Sequence, residues 1–374
     1  MLKKIKGAIK RVIEKKKEAS LHKKSHVDYL IRHHLDVLKG LQYSSGLFGA
    51  STKSVKTGYD KCWLRDNFYE CLAFDEMHQE DIVKKTYDAL FKIFLKHEFK
   101  IDCAIAKKPQ AKHEYIHARY HPSTYEEFWE DWGNKQNDAI GAILFMIGKL
   151  EKEGVKIVDN DDKKRIVQKL VNYLRSIQYW HDEDSGMWEE NEEVHASSVG
   201  ACLAGLISVK HIVDVPEDLI HKGRDALDRM LPRESKKKFV DLALLSLIYP
   251  YDIVSKKEAK EILANVEYYL VKNKGVIRYK NDYYYNANPD GFSQEAEWTM
   301  GFSWLAIIYK RLGDDRKCME YMKKSVDTIY EGEIPELYYS NSDKPNDNTP
   351  LGWAESLFIV ALHRMTKKHI GIRN

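Results

Sequence analysis

No run of eighteen apolar residues occurs anywhere in the chain, so no segment reads as a membrane-spanning helix. The N-terminus is charged but lacks the apolar stretch of about 7–15 residues that marks a secretory signal. Cysteine is scarce and odd in number: Cys62, Cys71, Cys103, Cys202 and Cys318, with no C-x-x-C pair. That count argues against a disulfide framework and for free thiols in a reducing, cytoplasmic compartment. No linker rich in Pro, Gly or Ser divides the chain, which gives no second large domain. Sustained period-two alternation is nearly absent, which excludes a sheet-dominated fold. An excess of one charge is missing too. The formal net charge is +3, and residues 1–24, with ten Lys/Arg and two Glu, carry +8 of it, leaving −5 on the rest. A mildly acidic body gives no electrostatic footprint for nucleic acid.

What is present is helical periodicity and aromatic side chains. The 374 residues include 23 Tyr and 8 Trp, rings that line sugar sites as well as cores. In residues 1–18, Leu2, Ile5, Ile9, Val12 and Ile13 follow helical spacing among lysines. This basic amphipathic helix is read as a segment apart, 1–24. One reading is adhesion to anionic lipid or to a protein partner. The plainer reading is a helix packed on the main body, or a solvated tail. From 25 to 374 the chain reads as one domain. Ile166, Val167, Leu170, Leu174 and Ile177 make one apolar stripe, and Ile262, Leu263, Val266, Tyr269 and Leu270 another. Twelve helices are predicted, over 25–40, 63–78, 81–97, 135–150, 162–179, 195–210, 217–230, 238–249, 256–271, 295–312, 315–330 and 351–366.

The connections carry the argument further. Those running from odd to even helices are mostly long: 41–62, 98–134, 180–194, 272–294 and 331–350. The return connections are mostly short. In an up-down array alternate connections lie at opposite ends, so one end is elaborated and the other tidy. Loops longer than roughly a dozen residues are usually functional or disordered. These are rich in Trp, Tyr and Gly, which favours function. Twelve helices close most simply as six hairpins, an all-α (α/α)6 barrel. The long loops then share one rim and lead into the N-termini of the inner helices, where free N–H groups and helix dipoles face a ligand.

Each long loop contains a chemically suggestive cluster. The first ends in Tyr59-Asp60-Lys61-Cys62-Trp63-Leu64-Arg65-Asp66-Asn67, a forked donor beside an acceptor, suited to vicinal hydroxyls. Asp66 could equally serve as a helix cap. The second contains Trp129 and Trp132 and continues into Lys135 and Asp138, a stacking platform with a polar rim. The third holds Trp188-Glu189-Glu190. A carboxyl beside an indole has its pKa raised by desolvation, as a general acid requires. The fourth holds Arg278, Asp282 and Tyr283-Tyr284-Tyr285, an aromatic wall with hydroxyl donors. In the fifth, Pro335 fixes the backbone before Glu336, a candidate second carboxylate. Glu190, Glu295, Glu297 and Glu333 are local rivals for the two carboxylate roles. His113, His117 and His121 recur every four residues, but Pro122 and the loop setting argue against a helical metal site.

These residues together resemble glycoside hydrolase family 15, the glucoamylases, and the glucoamylase-like domain of phosphorylase kinase regulatory subunits. The resemblance spans roughly residues 25–366. Arg278-Tyr279-x-x-Asp282-x-Tyr284-Tyr285-Asn286-x-Asn288-Pro289 looks like a glucoamylase substrate loop. Ile334-Pro335-Glu336, with Thr349-Pro350-Leu351-x-Trp353-Ala354, is similar to the segment of the catalytic base. Trp188-Glu189-Glu190 looks like the segment of the catalytic acid, and Trp63-x-Arg65-Asp66 like the pair that holds a terminal glucose. The resemblance implies an inverting, exo-acting hydrolase that releases β-glucose, with Glu189 as acid and Glu336 as base. It implies sugar contacts from Trp63, Arg65, Asp66, Trp132, Lys135, Asp138, Trp188, Glu190, Arg278, Asp282, Tyr285 and Trp353, and neither metal nor organic cofactor. In inverting enzymes the two carboxyls stand about 6.5–9.5 Å apart. Lys135 and Asn137 replace the proline and arginine of many glucoamylases, and His195-Ala196-Ser197-Ser198-Val199-Gly200 leans toward the phosphorylase-kinase-like branch. No appended starch-binding domain or extra N-terminal β-domain is seen, which points to a soluble oligosaccharide. The alternative is a glucan-binding or regulatory toroid without turnover.

Overall fold

The computed structural model describes residues 20–130, 132–286 and 294–367. The amphipathic segment expected over 1–18 lies outside them. Thirteen α-helices are described: α1 Lys24–Gly40, α2 Leu64–Glu76, α3 Glu80–Lys96, α4 Glu98–Ala106, α5 Asn137–Lys152, α6 Asp161–Ile177, α7 Ala196–Val209, α8 Glu217–Met230, α9 Leu245–Ile248, α10 Lys256–Tyr269, α11 Met300–Leu312, α12 Asp315–Val326 and α13 Gly352–Thr366. Two 3₁₀ turns, Lys112–Glu114 and Leu242–Leu244, and two short antiparallel pairs complete the described elements: β1 Cys62–Trp63 with β2 Arg119–Tyr120, and β3 Glu297–Trp298 with β4 Leu337–Tyr338.

Burial sorts the helices into two layers. In α7 twelve of fourteen residues are buried, and α2 and α13 are buried almost as fully. A helix that is buried all round belongs in the centre. The amphipathic helices, such as α6 and α10, bury one stripe and lie outside. The inner helices touch in sequence, α2–α5–α7–α9–α11–α13, and α13 returns to α2, which closes the ring. Outer helices α1, α8, α10 and α12 pack on α13, α7, α9 and α11 respectively. The result is the (α/α)6 toroid expected from the sequence.

The tightest inner contact, α5 against α7, depends on glycine. A Cβ on Gly141 would stand 2.4 Å from both the Ala201 carbonyl carbon and the Cys202 nitrogen. Backbone cannot yield as a side chain does. Gly141→Ala is therefore expected to cost roughly 1–3 kcal/mol through overpacking, read as a lower urea midpoint with an unchanged slope.

Three local differences from the predicted helices have physical causes. The span 238–249 is a 3₁₀ turn, Leu242–Leu244, followed by the single turn α9. Its front is consumed by a turn in which the Glu234 and Ser235 N–H groups bond to the Lys238 carbonyl, so the cap falls at Asp241. Its end is set by Pro250, which favours the extended backbone seen at Tyr249. Helix α11 starts at Met300 rather than 295, because Glu297–Trp298 pairs with Leu337–Tyr338. The connection 98–134 contains α4, whose periodicity was faint because only Ile101 and Ala104 are buried. Among the described residues, no helix is long and apolar enough to cross a membrane.

Candidate active site

The rim formed by the N-termini of the inner helices holds a cleft lined by residues from four of the long loops. Tyr59, Trp63, Arg65 and Asp66 come from the entry to α2. Met187, Trp188 and Glu189 precede α7. Arg278, Tyr284 and Trp298 precede α11, and Glu336, Leu351 and Trp353 precede or open α13. Short strand pairings bring distant loops together. Trp63 pairs with Arg119, and Trp298 with Leu337, next to Glu336 in sequence.

The acid loop is cross-braced. Asp184 and Glu193 exchange both backbone hydrogen bonds, and the Glu190 N–H donates to the Ser185 carbonyl. Between them Glu189 takes a left-handed backbone, φ +64°. A non-glycine residue there stores strain of roughly 1–3 kcal/mol. The side chain of Glu189 keeps 23% of its surface open, toward the cleft. Its site nonetheless lies deep in the barrel mouth. Desolvation pushes its carboxyl up to about 8, against the nearby Arg65 and with the help of the Asp66 charge. Asp66 is itself pushed up to about 7 by burial, against Arg65.

Glu336 is buried under different conditions. Its Oε2 accepts from Asn346 Nδ2 at 2.5 Å and Asn348 Nδ2 at 2.7 Å, with the Tyr284 hydroxyl at 3.5 Å. Its Oε1 accepts from the Tyr59 hydroxyl at 2.9 Å. Burial raises its pKa, while the two amides and Tyr59 favour the charged form. Three donors, from Asn346, Asn348 and Tyr59, suit a group that works as an anion.

Two buried arginines flank the cleft, each held in a fork. Asp138 takes Arg65 Nε at 2.6 Å and Nη2 at 3.1 Å, and Gln136 takes Nη2 at 2.6 Å. Arg65 Nη1 reaches Glu189 at 3.5 Å. Asp282 takes Arg278 Nε and Nη2, both at 2.7 Å. Arg278 Nη2 also donates to Glu190 at 2.7 Å. The Arg278 guanidinium lies 4.9–5.4 Å from the ring centres of Tyr284, Trp298 and Trp188. Trp353 stacks on Tyr69 at 4.0 Å to form the floor. The indole N–H groups of Trp63, Trp298 and Trp353 are buried and meet no protein acceptor. All three residues belong to the cleft lining and supply its aromatic walls.

The sequence-predicted residues thus divide by position. Trp63, Arg65, Asp66, Trp188, Glu189, Arg278, Glu336 and Trp353 share the cleft. Asp138 and Asp282 sit behind it, holding the arginines. Glu190 is tied to Arg278, Tyr279 and Lys238. Trp132 stands at the edge, 6.0 Å from the Trp63 ring and beneath the Arg119 guanidinium. Tyr285 leans on Tyr284 and Tyr339 outside the lining. Lys135 is also outside it, in ion pairs with Asp182 and Glu192. The rival acids face elsewhere: Glu295 and Glu297 accept backbone N–H groups, and Glu333 lies by His33. Among the described residues no group of three or more His, Cys, Asp or Glu is placed to hold a metal ion. Tyr284, read as part of an aromatic wall, lines the cleft, and Tyr59, quoted in the first loop without a role, joins it; Trp298, Asn346 and Asn348 were not singled out from sequence. Asn346-x-Asn348 left one signal, two amides at alternate positions in the Glu336 loop.

The sequence profile of glycosyl hydrolases family 15 matches residues 24–366. The chain belongs to that family. It is 25% identical over 372 residues to the phosphorylase b kinase regulatory subunit alpha, liver isoform, of Mus musculus, covering 80% of this chain and 30% of that protein. It is 24% identical over 375 residues to the probable regulatory subunit alpha of Caenorhabditis elegans, with the same coverage. The chain therefore spans about a third of the length of these relatives. A solved wild-type glycosidase superimposes with a TM-score of 0.79 at 18% identity, over 93% of this chain and 97% of the other. A bacterial glucoamylase complexed with acarbose gives 0.69 at 16% identity, over 89% and 55%. The glucoamylase from Saccharomycopsis fibuligera gives 0.65 at 14% identity, over 93% and 96%. At these identities the superpositions establish the fold, the six-hairpin toroid.

Proposed function

We propose that this family 15 chain is an inverting, exo-acting α-glucosidase that releases β-glucose from the non-reducing ends of soluble α-glucosides. One observation carries the reading: two carboxyls line one cleft in opposed environments. Glu189, pushed up to about 8, holds a proton near neutrality and serves as general acid toward the glycosidic oxygen. Glu336, ringed by donors, serves as the base that takes a proton from the attacking water. Arg65, Asp66, Arg278 and the indoles hold the terminal sugar. Residues 1–24 would supply a separate contact to a protein or lipid surface. The free thiols, four of the five buried, suit a reducing compartment such as the cytoplasm.

The second reading is a glucan-binding regulatory toroid. It draws on the relatives, which are named regulatory subunits. Incubation with maltose, maltotriose, isomaltose and trehalose, with the anomers followed by proton NMR, separates the two. β-Glucose at early times supports hydrolysis with inversion, and α-glucose contradicts it. Absence of turnover from folded protein on all four favours the regulatory reading.

The pH dependence follows in sign. The acid must keep its proton, so kcat is lost as pH rises through about 8. The base must be free of one, so kcat is also lost as pH falls through the pKa of Glu336. Because the Asp66 charge raises the Glu189 pKa, Asp66→Asn should move the alkaline limb down, whatever its effect on the rate. A limb that stays in place would assign it to another group.

A further inference from the structure

The loop that bears Glu336 is held from below by a histidine–carboxylate pair with no place in the chemistry described so far. His34 lies on outer helix α1 and Glu355 in the first turn of inner helix α13, and both are fully buried. His34 Nδ1 stands 2.6 Å from Glu355 Oε2. The other carboxylate oxygen, Oε1, accepts the Ile334 N–H at 2.7 Å. Ile334 is two residues from Glu336. Phe358, one turn along α13, meets the His34 ring edge-on at 4.7 Å and fixes its plane.

A second tie acts on the same loop. The Tyr330 and Glu333 backbones exchange hydrogen bonds around Glu331 and Gly332, both with positive φ, in a tight turn. His33, the neighbour of His34, lies with Nε2 2.7 Å from the Gly332 carbonyl. Helix α1 therefore grips the loop at Gly332 and, through Glu355, at Ile334.

The tautomer follows from the bonding. A carboxylate offers only acceptors, and Oε1 is already taken by an N–H. Nδ1 must then carry the proton that bridges to Oε2. Nε2 is buried and meets no protein partner, so the ring is tied to the fold through Nδ1 alone.

We infer that His34 and Glu355 are positioning residues for the base: a clamp from the outer ring that sets where Glu336 stands in the cleft. This rests on Glu336 being the base. The pair is distinct from the amides that hold the Glu336 side chain, because it acts on the backbone that precedes it. Glu336 must meet a water within hydrogen-bond reach, and a misplacement of about 1 Å from a remote change costs on the order of 10²-fold in rate.

The test compares four variants of the full chain on maltose. His34→Leu and Glu355→Ala remove the clamp. His34→Asn keeps a side-chain N–H donor close to the Nδ1 position. Asn160→Ala is the stability control, since it removes the side-chain cap of outer helix α6, where Asn160 Oδ1 accepts the Lys163 N–H at 3.0 Å, at the end opposite the N-termini of the inner helices. We expect His34→Leu and Glu355→Ala to lower kcat by roughly 10²-fold with KM nearly unchanged. His34→Asn should recover most of that loss, and Asn160→Ala should lower the melting temperature without moving kcat. Folded His34→Leu and Glu355→Ala proteins with wild-type kcat would overturn the inference, as would an equal kcat loss in Asn160→Ala. Hydrogen exchange over residues 331–340 gives a readout that needs no turnover. Faster exchange there in His34→Leu but not in His34→Asn is expected, and unchanged exchange would refute the clamp even in a protein that hydrolyses nothing. Failure of wild-type turnover would instead count against the proposed function.

Discussion

Glu189→Gln is expected to lower kcat on the preferred α-glucoside by roughly 10²–10⁴-fold, the usual contribution of a general acid. Glutamine keeps the shape and a hydrogen bond but has no proton to give. The protein should fold normally, because Glu189 is partly open to the cleft and its one guanidinium contact, with Arg65, is long at 3.5 Å. Arg65 remains paired with Asp138 when Glu189 is neutralised. KM should change little, and substrates with leaving groups that need no protonation should recover most of the lost rate. Glu336→Gln should be as severe for the opposite reason. The amide cannot accept a proton from water, and its NH₂ would face donors where Oε2 now accepts from Asn346 and Asn348. No leaving group rescues that variant. Steady-state rates on maltose and on an activated aryl glucoside check both substitutions. If either retains wild-type kcat, the role assigned to that residue is wrong.

The largest loss of stability is expected from Asp138→Leu. Asp138 is buried and holds two arms of Arg65. Arg65 is buried as well and cannot shed its charge; the paired carboxylate pushes its pKa higher still. Removing the carboxylate leaves an uncompensated guanidinium, a defect of roughly 3–5 kcal/mol. Asp138→Asn should fall between, because its carbonyl still accepts one N–H. Arg65→Met and Asp138→Leu combined should be less unstable than Asp138→Leu alone, since no charge is then stranded. Urea denaturation of the three variants measures this. Additive losses in the double variant would show that the pair is not coupled.

The Asp138 case also shows where reading the residues one by one stopped. Trp63, Arg65, Trp188, Glu189, Arg278 and Glu336 were legible because each falls in a long loop and in a motif. Asp138, Asp282 and Lys135 stand in the same motifs, yet their side chains turn to protein partners behind the lining. Sequence adjacency places a residue near a site but does not say which way it faces. Tyr59, Asn346 and Asn348 were quiet for the converse reason. Tyr59 meets Glu336 only because the loops before α2 and α13 converge when α13 returns to α2, and Asn346 and Asn348 only because their own loop folds back on Glu336. The short helix α4 escaped notice because it buries two side chains and so has no stripe to read. The break in the helix at 238–249 turned on a local cap and a following proline.

By itself, the sequence determined the class of fold and the end that carries the cleft. Period-3.6 stripes force helices to bury one face, and long loops gather at one rim when helices alternate in direction. Only the tertiary structure decided the surroundings and orientation of the carboxyls. Burial raises both, and whether donors oppose it, as the amides and Tyr59 do at Glu336, or a charge such as Asp66 adds to it, as at Glu189, depends on groups from several loops within a few ångströms. The chain order does not contain those distances until the ring closes.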